Sequence, residues 1–202
     1  MKNYDSSMMK TAFIWSKESY CIRKQVGAVI SKEGRIISIG YNGTISGLDN
    51  CCEEIIKYEN KIIHIPCQQQ DFEDLVELEK SIIIPFLKEN NYHADTKVIS
   101  KTSVAKDFKR MVEVRIKIPV LVTKKTVQHA ERNAMDYAAK NGVSLDGCTM
   151  YVTLEPCVEC AKSICSVGIK RVVFAENYRI KEGVPFLKES GIEVVQLLKE
   201  NI

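Results

Sequence analysis

No run in this 202-residue chain approaches the roughly 20 apolar residues that a membrane-spanning helix needs. Met1 to Lys10 is polar and carries Asp5, so the apolar core of a secretory signal is also missing and a cytoplasmic location is expected. Charge of one sign is scarce too. With 29 basic against 26 acidic residues the net charge is +3, too little for the electrostatic footprint of a dedicated nucleic-acid binder, although one or two placed cations still suit a small anionic substrate. There is no internal repeat, no low-complexity tract and no flexible linker, which leaves one domain with room for an insertion. Histidine is rare, at three residues; cysteine is not, at eight. In a reducing compartment those cysteines point to metal binding or to simple burial, not to disulfides.

Two short segments carry the chemistry: His129-Ala130-Glu131 and Pro156-Cys157-Val158-Glu159-Cys160. One imidazole and two thiolates make a three-ligand zinc site, and an open fourth position separates a catalytic zinc from a structural one. His129, Cys157 and Cys160 are therefore the candidate ligands. Glu131, two residues from the histidine, is the candidate catalytic group, placed to move protons beside the metal rather than to share it. Each segment precedes a helical pattern. The positive end of a helix dipole favours thiolate over thiol, and the spacing Cys-x-x-Cys puts both sulfurs on one side of a first turn. Adjacent helix residues point about 100° apart, so Arg132 is expected to leave the site. Cys148 and Cys165 read as buried thiols, and His64 and His93 as solvated or structural.

A helix is predicted over Met8 to Tyr20, with Met9, Ala12, Phe13 and Ser16 on one stripe. A hairpin follows, Val26 to Ser31 and Arg35 to Tyr41, turning at Lys32-Glu33-Gly34. The segment from about 53 to 127 changes character and reads as an insertion, with a helical stretch near Phe72 to Lys80. It ends in a half-buried strand, Met111 to Val122, where Val112, Val114, Ile116 and Ile118 alternate with polar residues. From His129 the order is regular: helix to Lys140 with Gly142 as its stop, strand at Thr149 to Thr153, helix from Cys157 to Ser166, strand at Arg171 to Ala175. A helix at Val184 to Glu189 and a strand at Glu193 to Leu197 complete an α/β layered sheet.

The order H-x-E then P-C-x-x-C is the signature of the zinc nucleobase deaminases. Within that group the chain resembles the deoxycytidylate (dCMP) deaminases, particularly the phage type. The likeness is carried by Val26-Gly27-Ala28-Val29-Ile30, Gly40-Tyr41-Asn42-Gly43, Asn50-Cys51-Cys52, His129 to Ala134, Thr149 to Leu154 and Gly168 to Val173. It implies a cytidine-deaminase-like three-layer α/β/α sandwich with a mixed five-stranded sheet. It also implies hydrolysis of dCMP to dUMP and ammonia, supplying dUMP for thymidylate synthesis. In such a site Asn42 would hold the deoxyribose and Tyr178 would line the nucleotide. Arg23 and Lys24, just before the first strand, are candidates for the 5′-phosphate. The resemblance further implies a homohexamer controlled by dCTP and dTTP, with Mg2+ accompanying the regulatory nucleotide. Cys21 and Cys51 match positions that hold a second, structural zinc in phage relatives. Val127 replaces the glutamate of that set, so His93, His64 or Cys67 would have to complete it. Ile45 stands where the family has proline in its Gly-Tyr-Asn-Gly-x-Pro loop, and Arg179 where it often has aspartate. Glu155 gives Thr-Leu-Glu-Pro-Cys, a form familiar from tRNA adenosine and guanine deaminases. A deaminase of another base, and a catalytically silent zinc module that senses nucleotides, stay open as alternatives.

Overall fold

The computed structural model describes residues 4–66, 75–90, 92–106, 109–198 and 200. Its elements in chain order are α1 (Asp5–Ser16), β1 (Gly27–Lys32), β2 (Arg35–Tyr41), β3 (Gly43–Thr44) and β4 (Glu53–Pro66). Then come α2 (Leu75–Leu78), a π-helical turn (Glu79–Ile83), α3 (Ile84–Glu89), β5 (Lys97–Lys106), β6 (Lys109–Thr123) and β7 (Val127–Gln128). The chain closes with α4 (Ala130–Lys140), β8 (Thr149–Leu154), α5 (Val158–Ser166), β9 (Arg171–Glu176), α6 (Gly183–Glu189) and β10 (Glu193–Gln196). These elements form two compact units, Met1–Glu53 with Thr123–Ile202 and Glu54–Val122. No helix among the described residues is long and apolar enough to cross a membrane.

The first unit holds a five-stranded sheet in the order β10-β9-β8-β1-β2. β10, β9 and β8 run parallel, while β1 is antiparallel to both β8 and β2, so the sheet is mixed. Alternation along its strands supplies two apolar faces. Ala28 and Ile30, Met150 and Val152, Val172 and Phe174 pack on one side with Ala134, Ile164 and Leu187 of α4, α5 and α6. Val29, Tyr151 and Val173 pack on the other with Met8, Met9 and Ala12 of α1. Three layers result, as the resemblance implies. The β1–β2 turn is the predicted one, with Glu33 and Gly34 at φ 52° and 76°, the left-handed pair that a two-residue hairpin wants.

The predicted first helix is too late at both ends. Asp5 begins it because its carboxylate is drawn into the fold, accepting two Arg171 hydrogen bonds of 2.8 Å and one from the Tyr151 hydroxyl at 3.0 Å. Lys17, Glu18 and Ser19 then donate to carbonyls three residues back, which tightens and ends the helix at Ser16.

The second unit has a sheet in the order β4-β6-β5, with β5 and β6 antiparallel. Val112, Val114 and Ile116 of β6 are fully buried, and they cluster with Ile63 and Ile65 of β4 and with Leu78, Ile83 and Leu87 of the helical segment. The predicted alternation in β6 is thus real. The helix expected near Phe72 to Lys80 falls partly outside the described residues, at 72–74, and within them helical structure runs on to Glu89. β4 and β5 are strands the sequence did not announce.

Candidate metal centre

Two helix starts of the first unit carry the reactive side chains. His129 is the N-cap of α4 and Cys157 the N-cap of α5, both in extended conformation, with Glu131 and Cys160 in the turns that follow. α4 can lie this close to the sheet because β2 offers Gly40, where a Cβ would come within 2.4 Å of both the Ala130 carbonyl oxygen and the Ala134 nitrogen.

His129 Nδ1 lies 3.5 Å from Cys157 Sγ and 3.4 Å from Cys160 Sγ. Zinc–sulfur and zinc–nitrogen bonds of ordinary length in a tetrahedron put sulfur and nitrogen about 3.6 Å apart, so the three donors fit that ion. All three donor atoms lie within 4.8 Å of one another, and this is the one such His, Cys or carboxylate group found among the described residues. Exposure is graded: His129 is exposed, Cys157 half-buried and Cys160 buried. The hydrogen bond from the Cys160 thiol, seconded by His129, holds the Cys157 thiol down to about 3, whereas that same bond and burial push Cys160 up. A cation bound by both sulfurs as thiolates displaces any proton they carry. His129 is raised, first by its hydrogen bond with Cys157. Glu131 is 4% exposed, and burial pushes its carboxyl up to about 6 against the pull of its own backbone amide and of His129. A carboxyl poised there both accepts and returns a proton near neutral pH.

The remaining predicted residues sit on loops of the same unit. Asn42 is nearly buried and clamps the segment before β1: its Oδ1 accepts the Val26 N–H at 2.7 Å and its Nδ2 donates to the Lys24 carbonyl at 2.9 Å. The Arg23 guanidinium donates to the Thr123 hydroxyl at 3.1 Å, a neutral partner that leaves the charge uncancelled. The Lys24 ammonium is paired with the Glu176 carboxylate. A cleft of about 530 Å³ is lined by Phe13, Lys17, Tyr20, Arg23, Lys24 and Glu176 and does not reach the metal ligands. Tyr178 is half-buried, and its backbone N–H donates to Glu155 Oε2 at 3.0 Å. Arg132 leaves the site as expected, bonding Asp136 and Ser163 at 3.0 Å each.

The residues expected to hold a second metal have other partners here. Cys21 is bonded through its sulfur to Cys52, not brought to Cys51. Cys51 is exposed, with its sulfur 3.2 Å from the Glu53 carbonyl oxygen. His93 Nδ1 accepts the Asp95 N–H at 3.1 Å, and His64 lies 3.6 Å from Glu113. Cys67 lies outside the described residues. Glu155 and Glu176 were missed as structural partners because no local pattern marks a carboxylate that bonds a distant backbone or a lysine.

Known proteins resemble this chain over most of its length. Residues 2–176 match the family model of the cytidine and deoxycytidylate deaminase zinc-binding region. The deoxycytidylate deaminase of enterobacteria phage T4 is 35% identical over 201 residues, covering 98% of this chain and 91% of the relative. That of phage T2 is 35% identical over 200 residues, covering 97% and 93%. The crystal structure of dCMP deaminase from the cyanophage S-TIM5, in complex with dCMP and dUMP, superposes with a TM-score of 0.62 at 28% identity, covering 98% of this chain and 99% of that one.

Proposed function

The chain belongs to the cytidine and deoxycytidylate deaminase family, and from that premise we propose that it hydrolyses dCMP to dUMP and ammonia, supplying dUMP for thymidylate synthesis. The observation that carries the reading is the convergence of His129, Cys157 and Cys160 beside a buried Glu131. Those three residues would hold the zinc. When bound, zinc acts as a Lewis acid that makes water nucleophilic near neutral pH. Glu131 accepts the proton that water loses on attacking C4 and delivers it to the ring nitrogen N3; it then takes the proton of the new C4 hydroxyl and passes it to the departing amine as the C4–N bond breaks and the carbonyl forms. Asn42 spends one amide hydrogen and one lone pair on Lys24 and Val26, and the hydrogen and lone pair left over suit a sugar hydroxyl. Tyr178 lines the nucleotide. Arg23, with its charge uncancelled, is the stronger phosphate candidate; Lys24 must first give up Glu176.

Glu155, the residue that kept another base open as an alternative, accepts the Tyr178 backbone N–H at Oε2. From the family likeness we also assign this chain a cytoplasmic homohexamer under dCTP and dTTP control, with Mg2+ accompanying the regulator. We read Glu54–Val122 as an insertion in the deaminase domain. The exposed Ile14, Trp15, Tyr20 and Ile22 of the first unit support association. Ammonia release from a panel of cytosine, adenine and guanine nucleotides tests the substrate, with dCMP expected to lead deoxycytidine, CMP and adenosine nucleotides in kcat/KM. Faster release from guanine or from adenosine in a tRNA stem-loop, with no dUMP from dCMP, would sink it. Zinc counted on the same protein decides the second metal. Two per chain would put Cys21 and Cys52 on a structural ion, and one leaves them bonded to each other.

A further inference from the structure

Glu155 lies two residues before Cys157, and nothing in the reaction uses it. Its side chain is 5% exposed, a costly place for a carboxylate without partners. The partner is specific: Oε2 accepts the backbone N–H of Tyr178 at 3.0 Å, while the Glu155 N–H donates to the Glu176 carbonyl at 2.7 Å. Further along the same segment, Gly183 lies so close to the metal loop that a Cβ there would come within 1.9 Å of the Pro156 carbonyl oxygen. The stretch from Glu176 to Gly183 thus rests on Glu155-Pro156 at three places. Two of these are backbone contacts that most residues at position 155 would preserve. The third needs a side chain long enough to reach across to Tyr178 and able to accept.

Resting on the dCMP reading, we infer that Glu155 is a positioning residue that fixes Tyr178 relative to the metal loop and so sets how tightly the nucleotide is held, not how fast it reacts. A charge-assisted bond to a backbone amide is the strong kind, and it holds the main chain at Tyr178 whatever the ring does.

The test uses the zinc-loaded full chain. Glu155→Ala is expected to raise KM for dCMP about tenfold or more, the scale of a lost hydrogen bond to a charged group, with kcat within about twofold and zinc content unchanged. Glu155→Gln keeps an acceptor oxygen and should recover most of the KM. In a Tyr178→Ala background Glu155→Ala should add no further KM penalty, because the ring that the anchored main chain positions is already gone. Additive penalties, or a fall in kcat and zinc with KM unmoved, would overturn the inference and make Glu155 a prop of the metal loop. Hydrogen exchange at the amides of Tyr178 to Ile180 needs no substrate. It should quicken in Glu155→Ala, and unchanged exchange overturns the inference. Wild-type protein that leaves dCMP untouched would instead refute the substrate reading, and the exchange result would still decide whether Glu155 anchors this segment.

Discussion

The first unit buries both faces of its sheet, and the second unit buries one. In the first, Ile30 and Val29 are neighbours on β1 and both are fully buried, each under a different helical layer. In the second, Val112, Val114 and Ile116 face the helical segment while the residues between them are half-buried or exposed. A sheet covered on both sides fixes the strand ends and helix starts around it to within tenths of an ångström, which is what four converging side chains need. A sheet covered on one side has a solvent face free to vary. The chemistry accordingly sits on the first unit, and changes in the two units should separate activity from stability.

The largest expected effect breaks the chemistry and leaves the frame. Glu131→Gln should retain zinc, since the side chain is not a ligand, and lower kcat on the order of 10²–10⁴-fold. Metal analysis beside an ammonia assay checks this; a variant keeping more than about a tenth of the wild-type rate would remove Glu131 from its role.

Paired core truncations sharpen the comparison. Ile164 on α5 and Ile116 on β6 are both fully buried, and cutting either to alanine should cost about 2–5 kcal/mol. Ile164→Ala loosens the helix that carries Cys160, so a chelator should strip its zinc faster. Ile116→Ala should lower the unfolding midpoint with chelator resistance unchanged. Equal loss of zinc from the two variants would show that the units do not divide the work in this way.

How much of this was legible follows the same division. His129, Glu131, Cys157 and Cys160 could be read because each half of the site is a contiguous motif at a helix start, where local rules fix the geometry. β1, β2 and β6 could be read from alternation and turn residues. β4 could not, because Glu54 to Ile62 are nine consecutive exposed residues and no burial pattern of period two survives in them. Partners distant in sequence were equally silent. Cys21 bonds Cys52 and not Cys51, a choice between adjacent cysteines that residue type alone does not make. Asp5 starts α1 because Arg171, 166 residues away, reaches its carboxylate.

That Asp5–Arg171 pair gives a pH test of the first unit. The Arg171 hydrogen bonds hold the Asp5 carboxyl below the usual carboxylate range, against the upward push of burial. A depressed folded value means stability that is fully present above the unfolded pKa of about 3.9 and is lost as pH falls through the folded value. Asp5→Asn should cost on the order of 1.5–3 kcal/mol at neutral pH, and the gap to wild type should shrink as the pH is lowered past that range. Urea unfolding at a series of pH values measures it, and a gap that stays constant down to about pH 2 would contradict the assignment.

The smallest expected effect lies on the exposed face of the second unit, where it should touch stability alone. Lys97 on β5 stands directly opposite Lys117 on β6, and both are exposed. Like charges facing each other across an antiparallel pair are unfavourable, so replacing one with an acid should stabilise the unit by roughly 0.2–1 kcal/mol. The choice of partner matters, because the Lys97 ammonium also sits 5.0 Å from the centre of the Tyr58 ring, a cation–π contact that replacing Lys97 would forfeit. Lys117→Glu keeps that contact and turns repulsion into attraction. Solvent and salt screen charges this exposed, so the gain should fade at about 1 M salt, where the Debye length is about 3 Å. Urea unfolding at low and high salt checks both parts. A gain that persists undiminished at high salt would mean that glutamate helps through packing or strand propensity, and that the facing lysines cost nothing.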